Sequence, residues 1–312
     1  SSKGVRNSVF GIDGQMRFWG NSSVSAWYSQ VDDTSLVGPS AASMIKLDLR
    51  NDRYFLTTGQ HRVDEDFRPG LGFVQRQDMI GTGIIAGFTP RVGDGDELIR
   101  QWRFTIYARD VQNHAGIHET GVLNGGIEAI LETRDKIGLK VIQNKEKLTA
   151  GFTLGNGVEI QKGNYRDRKI SFSARTNQSR GVWGNFALSK GDYFGGNKTS
   201  MSGSIGKQFS NHLTLYGSAN QNIVSMPSQE EFTANIYGIT AEVALNRKWF
   251  GKALIQYDNF SEQIQLYCRI NWIHTPGSDL FIVLNQRYDM AGSKSSLVQG
   301  TQVVKLTYLF QI

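Results

Sequence analysis

Two short motifs contain residue types that can do chemistry. His114 and His118, followed by Glu119, have a spacing that would place two metal ligands on one face of a helix. The segment has no helical pattern, so we interpret it as a solvated loop rather than as a metal site. The glycines of residues 81–87 resemble a dinucleotide-binding fingerprint, but they lie within a predicted strand and no helix follows. We interpret them as glycines that relieve crowding or allow curvature.

Nucleophilic catalysis is not indicated by any motif. The sequence contains no Gly-x-Ser-x-Gly elbow. The single cysteine, Cys268, occupies an apolar position of a predicted strand. One cysteine excludes both an intrachain disulfide framework and a multi-cysteine metal site. The sequence therefore predicts no catalytic residues, no cofactor and no metal, and we expect a protein that is not an enzyme. The alternative is an active site assembled from a few polar groups at one rim of a sheet.

The elements that position the polar residues follow a period of two. In 98–111, Phe104 and Ile106 point one way, whereas Arg103 and Arg109 point the other. We predict that this segment is one membrane-spanning strand with its apolar side chains toward lipid. A slip of one residue would expose both arginines to hydrocarbon.

Three further features distinguish this chain from a soluble sandwich. The predicted strands have about ten residues or more, where ordinary strands have about five or six. Aromatic residues stand at strand ends, as in Trp27-Tyr28 and Trp249-Phe250, and short connections alternate with long ones. No apolar run is long enough for a helical span. These features predict an all-β fold, an antiparallel transmembrane β-barrel of the bacterial outer membrane with about 16–18 strands and a single domain over 1–312.

An odd strand count accompanies this prediction. The predicted strands are 7–19, 22–31, 41–50, 53–62, 78–89, 98–111, 121–133, 136–148, 165–176, 180–192, 196–207, 211–224, 231–245, 248–258, 262–274, 278–288 and 301–311. Single-chain bacterial barrels have an even number of strands and both ends in the periplasm. We therefore expect upstream strands to complete the barrel, the alternative being one hairpin counted wrongly.

Several stretches resemble a family of outer-membrane proteins of unknown function described as carbohydrate-binding family-nine-like domain-containing proteins. They are 66–76, 162–165 and 253–288, and the most specific is the Trp-x-x-x-Pro-Gly-Ser-Asp-Leu-Phe run at 272–281. In order and spacing the resemblance covers most of 53–312. It implies a C-terminal barrel that follows a soluble β-sandwich. The sandwich is absent from this sequence, so the resemblance assigns it no glycan affinity, and it supplies no catalytic residues.

One side of the predicted strands is charged. If the alternation holds, the following residues face the lumen: Arg17, Lys46, Asp48, Arg50, Arg103, Arg109, Glu128, Glu132, Lys140, Lys169, Arg175, Glu242, Lys252, Arg269, Arg287 and Lys305. They are either a cation-lined path that favours anions or a neutralised salt-bridge network without a transport role. The formal charge is +6, but basic residues alternate with acids instead of clustering, so nucleic acid is not an expected partner.

Two functions from different classes fit these patterns. One is a porin-like channel or conduit for small polar or anionic solutes or oligosaccharides. The other is a structural or docking barrel that anchors a periplasmic domain or a partner complex. The expected partners are outer-membrane lipid and lipopolysaccharide, with a periplasmic or outer-membrane protein as a further partner class. The connection 63–77 is expected to be extracellular and packed against the barrel, because Phe67, Pro69, Leu71 and Phe73 make it too apolar for a solvated linker.

Overall fold

The computed structural model describes residues 6–35, 38–92, 97–154, 157–227, 231–292 and 295–310. These residues form nineteen strands: β1 (Asn7–Phe18), β2 (Ser22–Asp33), β3 (Ala41–Arg50), β4 (Tyr54–Val63), β5 (Met79–Phe88), β6 (Ile99–Gln112), β7 (His118–Leu131), β8 (Lys136–Leu148), β9 (Phe152–Thr153), β10 (Glu159–Ile160), β11 (Gly163–Arg175), β12 (Val182–Tyr193), β13 (Gly196–Ser210), β14 (Leu213–Ser225), β15 (Phe232–Ala244), β16 (Trp249–Asp258), β17 (Gln263–Thr275), β18 (Ser278–Asp289) and β19 (Ser296–Thr307). Among the described residues, no helix is long and apolar enough to cross a membrane.

The seventeen long strands correspond one to one with the predicted strands, and β9 and β10 are two additional two-residue strands. Many boundaries differ by one to several residues from the prediction, and three differences affect residues named above. The last strand ends at Thr307, so Tyr308 and Phe310 lie beyond it. β7 begins at His118, which shortens the connection predicted over 112–120. Glu132, predicted on a strand face, lies in the turn after β7. Whether upstream strands complete the barrel stays a prediction.

Asparagine side chains build two of the short turns that the sequence predicted. The side-chain oxygen of Asn51 accepts hydrogen bonds from the backbone N–H groups of Arg53 (2.9 Å) and Tyr54 (2.7 Å). Asn246 accepts in the same way from Lys248 (2.8 Å) and Trp249 (3.0 Å). Such side-chain bonds satisfy backbone donors where the chain reverses, which is why asparagine favours these positions.

The chain forms two compact units by its contacts. Unit 1 comprises Ser1–Glu132, Gly138–Phe152 and Ile160–Ile170, and unit 2 comprises Thr133–Ile137, Thr153–Glu159 and Ser171–Ile312. In unit 1, β1 to β7 pair in sequence order, each antiparallel to the next. In unit 2, β12 to β19 pair in the same consecutive way. The strands of each unit therefore form an antiparallel meander.

The sheet of unit 1 has one polar face and one apolar face. Residues opposite each other in register share a face. One such row joins Lys46, Gly59, Gly83 and Arg109 across four strands. The opposite face carries exposed apolar side chains, listed here from β3 to β7: Ile45, Ile84, Phe88, Phe104, Ile106, Leu123 and Ile127. In β6, the parity predicted from the sequence is therefore confirmed.

The sheet of unit 2 has the same two-faced construction. One row places Glu242, Lys252 and Arg269 opposite one another on β15, β16 and β17. The other face exposes apolar residues that include Ile239 and Ile255, which are also opposite each other. Apolar side chains left exposed along long strands are what a hydrocarbon environment requires, because a water-facing surface would be polar at these positions.

Candidate functional site

The polar face of unit 1 contains a cavity of about 810 Å³, which we call the inner cavity. Strands β2 to β7 form its floor, and the connection between β4 and β5, here loop 64–78, covers it. The lining residues are Trp27, Ala42, His61, Val63, Phe67, Phe73, Val74, Gln75, Arg76, Met79, Tyr107, Arg109, Val111, Thr120 and Val122. Pockets for small ligands usually have about 300–1,000 Å³, so the inner cavity is large enough for a small solute.

Loop 64–78 is fixed on the sheet by one buried aromatic residue. Phe67 is 8% exposed and packs in a cluster with five strand residues: Val31, Ala42, Val63, Met79 and Val111. The backbone of the loop is also held. Gln77 donates a side-chain hydrogen bond to the Phe67 carbonyl (2.9 Å), and Asn7 of β1 donates to the carbonyl of Arg68 (2.9 Å).

These contacts confirm the predicted packing of the 63–77 connection against the strands, with one correction. Leu71 and Phe73 were predicted to pack, but they are 107% and 91% exposed. Phe67 and Val74 provide the apolar contact instead. Arg76 forms an ion pair with Glu119 and donates to Thr120 (3.1 Å), which ties the end of the loop to the start of β7.

His114 connects loop 64–78 to the neighbouring connection. Its Nδ1 lies 2.8 Å from an Asp78 carboxylate oxygen, and its Nε2 lies 3.3 Å from one of Asp64. The backbone N–H of His114 also donates to Asp78 (2.9 Å). These backbone and side-chain hydrogen bonds from His114 hold the pKa of Asp78 below its usual value. Asp64 is itself buried and accepts from the backbone N–H of Ala41 (3.1 Å).

Arg109 lies at the floor of the inner cavity and brings a positive charge to it. Its side chain passes over β5, where a Cβ at Gly83 would be 4.0 Å from the Arg109 Cγ and one at Gly81 would be 3.8 Å from its Nη2. The glycines of β5 thus leave room for the arginine, in agreement with their interpretation as residues that relieve crowding. Among the residues that the structure describes, Arg109 has no ion-pair partner.

The structure divides the other predicted lumen residues of unit 1 into paired and unpaired charges. Arg103 pairs with Glu128 (3.1 Å), and Arg50 lies 3.9 Å from Asp48. Lys46 shares the row of Arg109, and Arg17 lies opposite Ser23, which lies opposite Asp48. Like Arg109, Lys46 and Arg17 have no ion pair in the described part of the chain. The network is therefore only partly neutralised.

Three predicted lumen residues fall outside that group of strands. Glu132 is corrected to a turn position, where it lies 3.8 Å from Arg100, because β7 ends at Leu131. Lys169 of β11 alternates with the exposed Ile170, so the two occupy opposite faces. Arg175 is the last residue of the same strand.

The polar face of unit 2 holds five predicted residues, namely Glu242, Lys252, Arg269, Arg287 and Lys305, whereas Lys140 of β8 lies on the polar face of unit 1. Lys252 pairs with Glu242 (3.0 Å), and Arg269 donates to Asn271 (2.7 Å). These residues line a smaller cavity of about 420 Å³. Arg287 donates a hydrogen bond to Gln299 of β19. Most of these charges have a partner on their own or an adjacent strand.

The two histidines of the candidate metal motif are not brought together. His114 contacts Asp64 and Asp78, whereas His118 contacts Asp110 (2.7 Å). Over the described residues, no group of three or more histidine, cysteine or acidic side chains could hold a metal ion.

Sequence reasoning missed the aromatic lining of the inner cavity. Trp27, His61 and Tyr107 line it, and the Trp27 and His61 rings meet edge to face at 5.5 Å. Trp27 was counted among the aromatic residues at strand ends that indicate a membrane barrel, but it lies opposite Met44 on the polar face. The available signal was parity, because Trp27 and Val31 are both odd-numbered positions of β2 and both turn toward loop 64–78.

Comparison with known proteins gives structural likeness only. No family model matches the chain, and no curated protein matches it. The solved structures that match include OmpT, an outer membrane protein of Vibrio cholerae, at 9% identity and a TM-score of 0.39, over 96% of this chain and 98% of that one. Its trimer form matches at 8% identity and the same TM-score, over 96% of both chains. The resemblance to carbohydrate-binding family-nine-like domain-containing proteins stays a prediction.

The predicted antiparallel all-β fold is confirmed by the strands and their pairing within each unit, and the location in the bacterial outer membrane stays a prediction. One prediction is corrected. The chain was expected not to be an enzyme. The solved structures of OmpT that match resemble this chain only in their fold. A likeness of that degree excludes no activity, so the statement that the chain is not an enzyme is withdrawn.

Proposed function

We propose that the protein is an outer-membrane conduit for small polar or anionic solutes, and that the inner cavity is where a passing solute is held. The observation that carries this proposal is Arg109, a cation without an ion-pair partner among the described residues, at the floor of a cavity of about 810 Å³. A purely structural network would be expected to neutralise such a charge, as Glu128 neutralises Arg103.

The lining of the inner cavity favours a particular solute class. Trp27 and Tyr107 offer flat apolar surfaces, while Arg109, Gln75 and Thr120 offer hydrogen bonds and positive charge. A short oligosaccharide or another ring-containing solute with a carboxylate or phosphate would use both kinds of contact. Loop 64–78 narrows access to the cavity, which favours selective passage over a wide unselective pore.

The test is single-channel recording of the full-length protein in planar bilayers, with a salt gradient that reports ion preference. The wild type should conduct and prefer anions. Arg109→Gln should shift the reversal potential toward cation preference, because it removes one unneutralised charge from the path. The matched control is Lys207→Gln, which removes one charge from the apolar face of unit 2 and should leave the preference unchanged.

Absence of conductance in the wild type would contradict the conduit and favour the docking barrel. Conductance with equal ion preference in wild type and Arg109→Gln would keep the conduit and reject the role of Arg109. A charged oligosaccharide that blocks the wild type but not Tyr107→Ala would support the inner cavity as the point of contact.

A further inference from the structure

The apolar face of unit 1 changes character along β8 and β11. In β8, the side chains of Leu139 and Val141 are exposed and apolar, as is that of Ile170 in β11. Charged residues on such a surface are disfavoured at the level of hydrocarbon. This part of the two strands therefore suits the lipid interior.

Toward the other end of the same strands the surface becomes basic. Lys145 and Lys147 continue the exposed parity of β8, and Arg166 and Arg168 continue that of β11. Arg166 and Arg168 both donate to the Gln143 side chain, at 2.9 and 3.3 Å, so these arginines share a face with β8. We call these two lysines and two arginines the outer basic patch.

Neighbouring groups show on which face of the sheet the outer basic patch lies. A Cβ at Gly121 would lie 3.5 Å from the Lys145 Cβ and 3.6 Å from Asp110, and Gly121 is opposite Asp110 on β6. By contrast, a Cβ at Gly126 would meet Lys140, and Gly126 belongs to the polar face. Lys145 and Lys140 therefore stand on opposite faces.

Two acidic side chains near the patch are held by other groups. Asp110, on the same face, is paired with His118 (2.7 Å). Glu146 has the opposite parity and accepts a hydrogen bond from Thr120 of the polar face (3.5 Å). The four cations of the patch stand directly beyond an apolar surface, at the end of β8 and β11 that adjoins the connection between these strands.

We infer that the outer basic patch binds the phosphate groups of lipopolysaccharide while the acyl chains cover the apolar surface beside it. Long connections belong to the extracellular rim of outer-membrane barrels. Paired lysines and arginines recognise phosphorylated lipid headgroups, and arginine does so with two parallel hydrogen bonds. The inference rests on the outer-membrane location and is independent of whether the protein conducts.

The test uses the full-length protein, delipidated in detergent, with bisphosphorylated lipid A as the probe and native mass spectrometry as the readout. The patch variant carries Lys145→Gln, Lys147→Gln, Arg166→Gln and Arg168→Gln. The matched control carries Arg134→Gln, Lys207→Gln, Arg247→Gln and Lys248→Gln, four cations of unit 2 that lie in or near short turns. Heat-modifiable migration on gels checks that both variants fold.

Binding of lipid A should fall about tenfold or more in the patch variant and stay near wild type in the control. Dephosphorylated lipid A should bind the wild type as weakly as lipid A binds the patch variant. Excess inorganic phosphate should compete only weakly, because it has no acyl chains. Equal binding by patch variant and wild type, equal loss in the control, or full displacement by inorganic phosphate would each overturn the inference.

Discussion

The polar faces of the two units are built in different ways. In unit 1, apolar residues such as Val31 and Met79 interrupt the polar face and are buried with Phe67 of loop 64–78. In unit 2, the corresponding face carries Glu242, Lys252 and other groups that remain substantially exposed while pairing with one another. In the part of the chain that the structure describes, a loop covers the polar face of unit 1, whereas Glu242 and Lys252 of unit 2 are about half exposed.

This difference shows what each face is suited to do. An apolar area on an otherwise wet surface is unfavourable until something covers it, and loop 64–78 supplies that cover in unit 1. The cover encloses the inner cavity, in which Arg109 has no ion-pair partner among the described residues, and such a cavity can recognise a solute. The polar groups of unit 2 satisfy each other locally, so that face suits passage without tight binding.

Replacing Phe67 by alanine should have the largest effect on this contrast. A buried phenylalanine replaced by alanine destabilises by about 3–5 kcal/mol, and here the loss should appear as release of loop 64–78. Added trypsin should cleave near Arg68 and Arg76 rapidly in Phe67→Ala and slowly in the wild type. The loop offers its own control in Leu71→Ala, since Leu71 is fully exposed and should not change cleavage. Equal cleavage rates in wild type and Phe67→Ala would mean that the cluster does not hold the loop.

A charge on the apolar face should have the next largest effect, and it should be similar in both units. Ile106→Lys in β6 and Ile239→Lys in β15 each place an ammonium near the middle of a strand, which costs about 2–4 kcal/mol at the bilayer midplane. The controls are Asn124→Lys and Thr240→Lys, which carry the same charge on the polar faces. Urea unfolding in lipid vesicles measures the change. Tolerance of Ile239→Lys alone would show that only unit 1 presents a lipid-facing surface.

Sequence parity predicted the strands well because a strand has only two faces and a hydrocarbon environment allows little ambiguity between them. Every long strand, and the sides chosen for Arg103 and Arg109, followed from that rule. The inner cavity did not follow from it. Its cover depends on which part of loop 64–78 packs against the strands, and the sequence does not distinguish between them. Phe67 and Phe73 are both apolar, but only Phe67 packs in the cluster with Val31 and Met79.

Acid should protonate one stabilising carboxylate in each unit, Asp78 in unit 1 and Asp135 in unit 2. Only the protonation of Asp78 should loosen loop 64–78. His114 holds the pKa of Asp78 below its usual value, and in unit 2 the backbone N–H of Asn177, with Thr133 and Arg180, does the same for Asp135. Each carboxylate therefore stabilises the fold above its unfolded pKa of about 3.9, and this stabilisation is lost as pH falls through the lower folded value.

Pepsin cleavage of loop 64–78 measures this effect, with Asp78→Asn as the reference at each pH. The wild type should resist cleavage better than Asp78→Asn at about pH 4 and should approach it in stronger acid. Asp135→Asn should leave cleavage of this loop unchanged, because Asp135 accepts hydrogen bonds from Asn177 and Arg180 of another turn and does not contact loop 64–78. A difference between wild type and Asp78→Asn that persists in the strongest acid would contradict the assignment to the carboxylate.

The smallest expected difference lies between the two ion pairs of the polar faces. Arg103 and Glu128 are 40% and 29% exposed at 3.1 Å, whereas Lys252 and Glu242 are 50% and 43% exposed at 3.0 Å. Exposed pairs couple by about 0.2–1 kcal/mol, and water screens the more exposed pair more strongly. Double-mutant cycles with glutamine at all four positions should therefore give the larger coupling energy in unit 1. Added salt should weaken the unit 2 pair first, because mobile ions reach it more easily. A larger coupling in unit 2 would mean that its face is less open to water than its exposure indicates, and the contrast between a covered and an open polar face would fail.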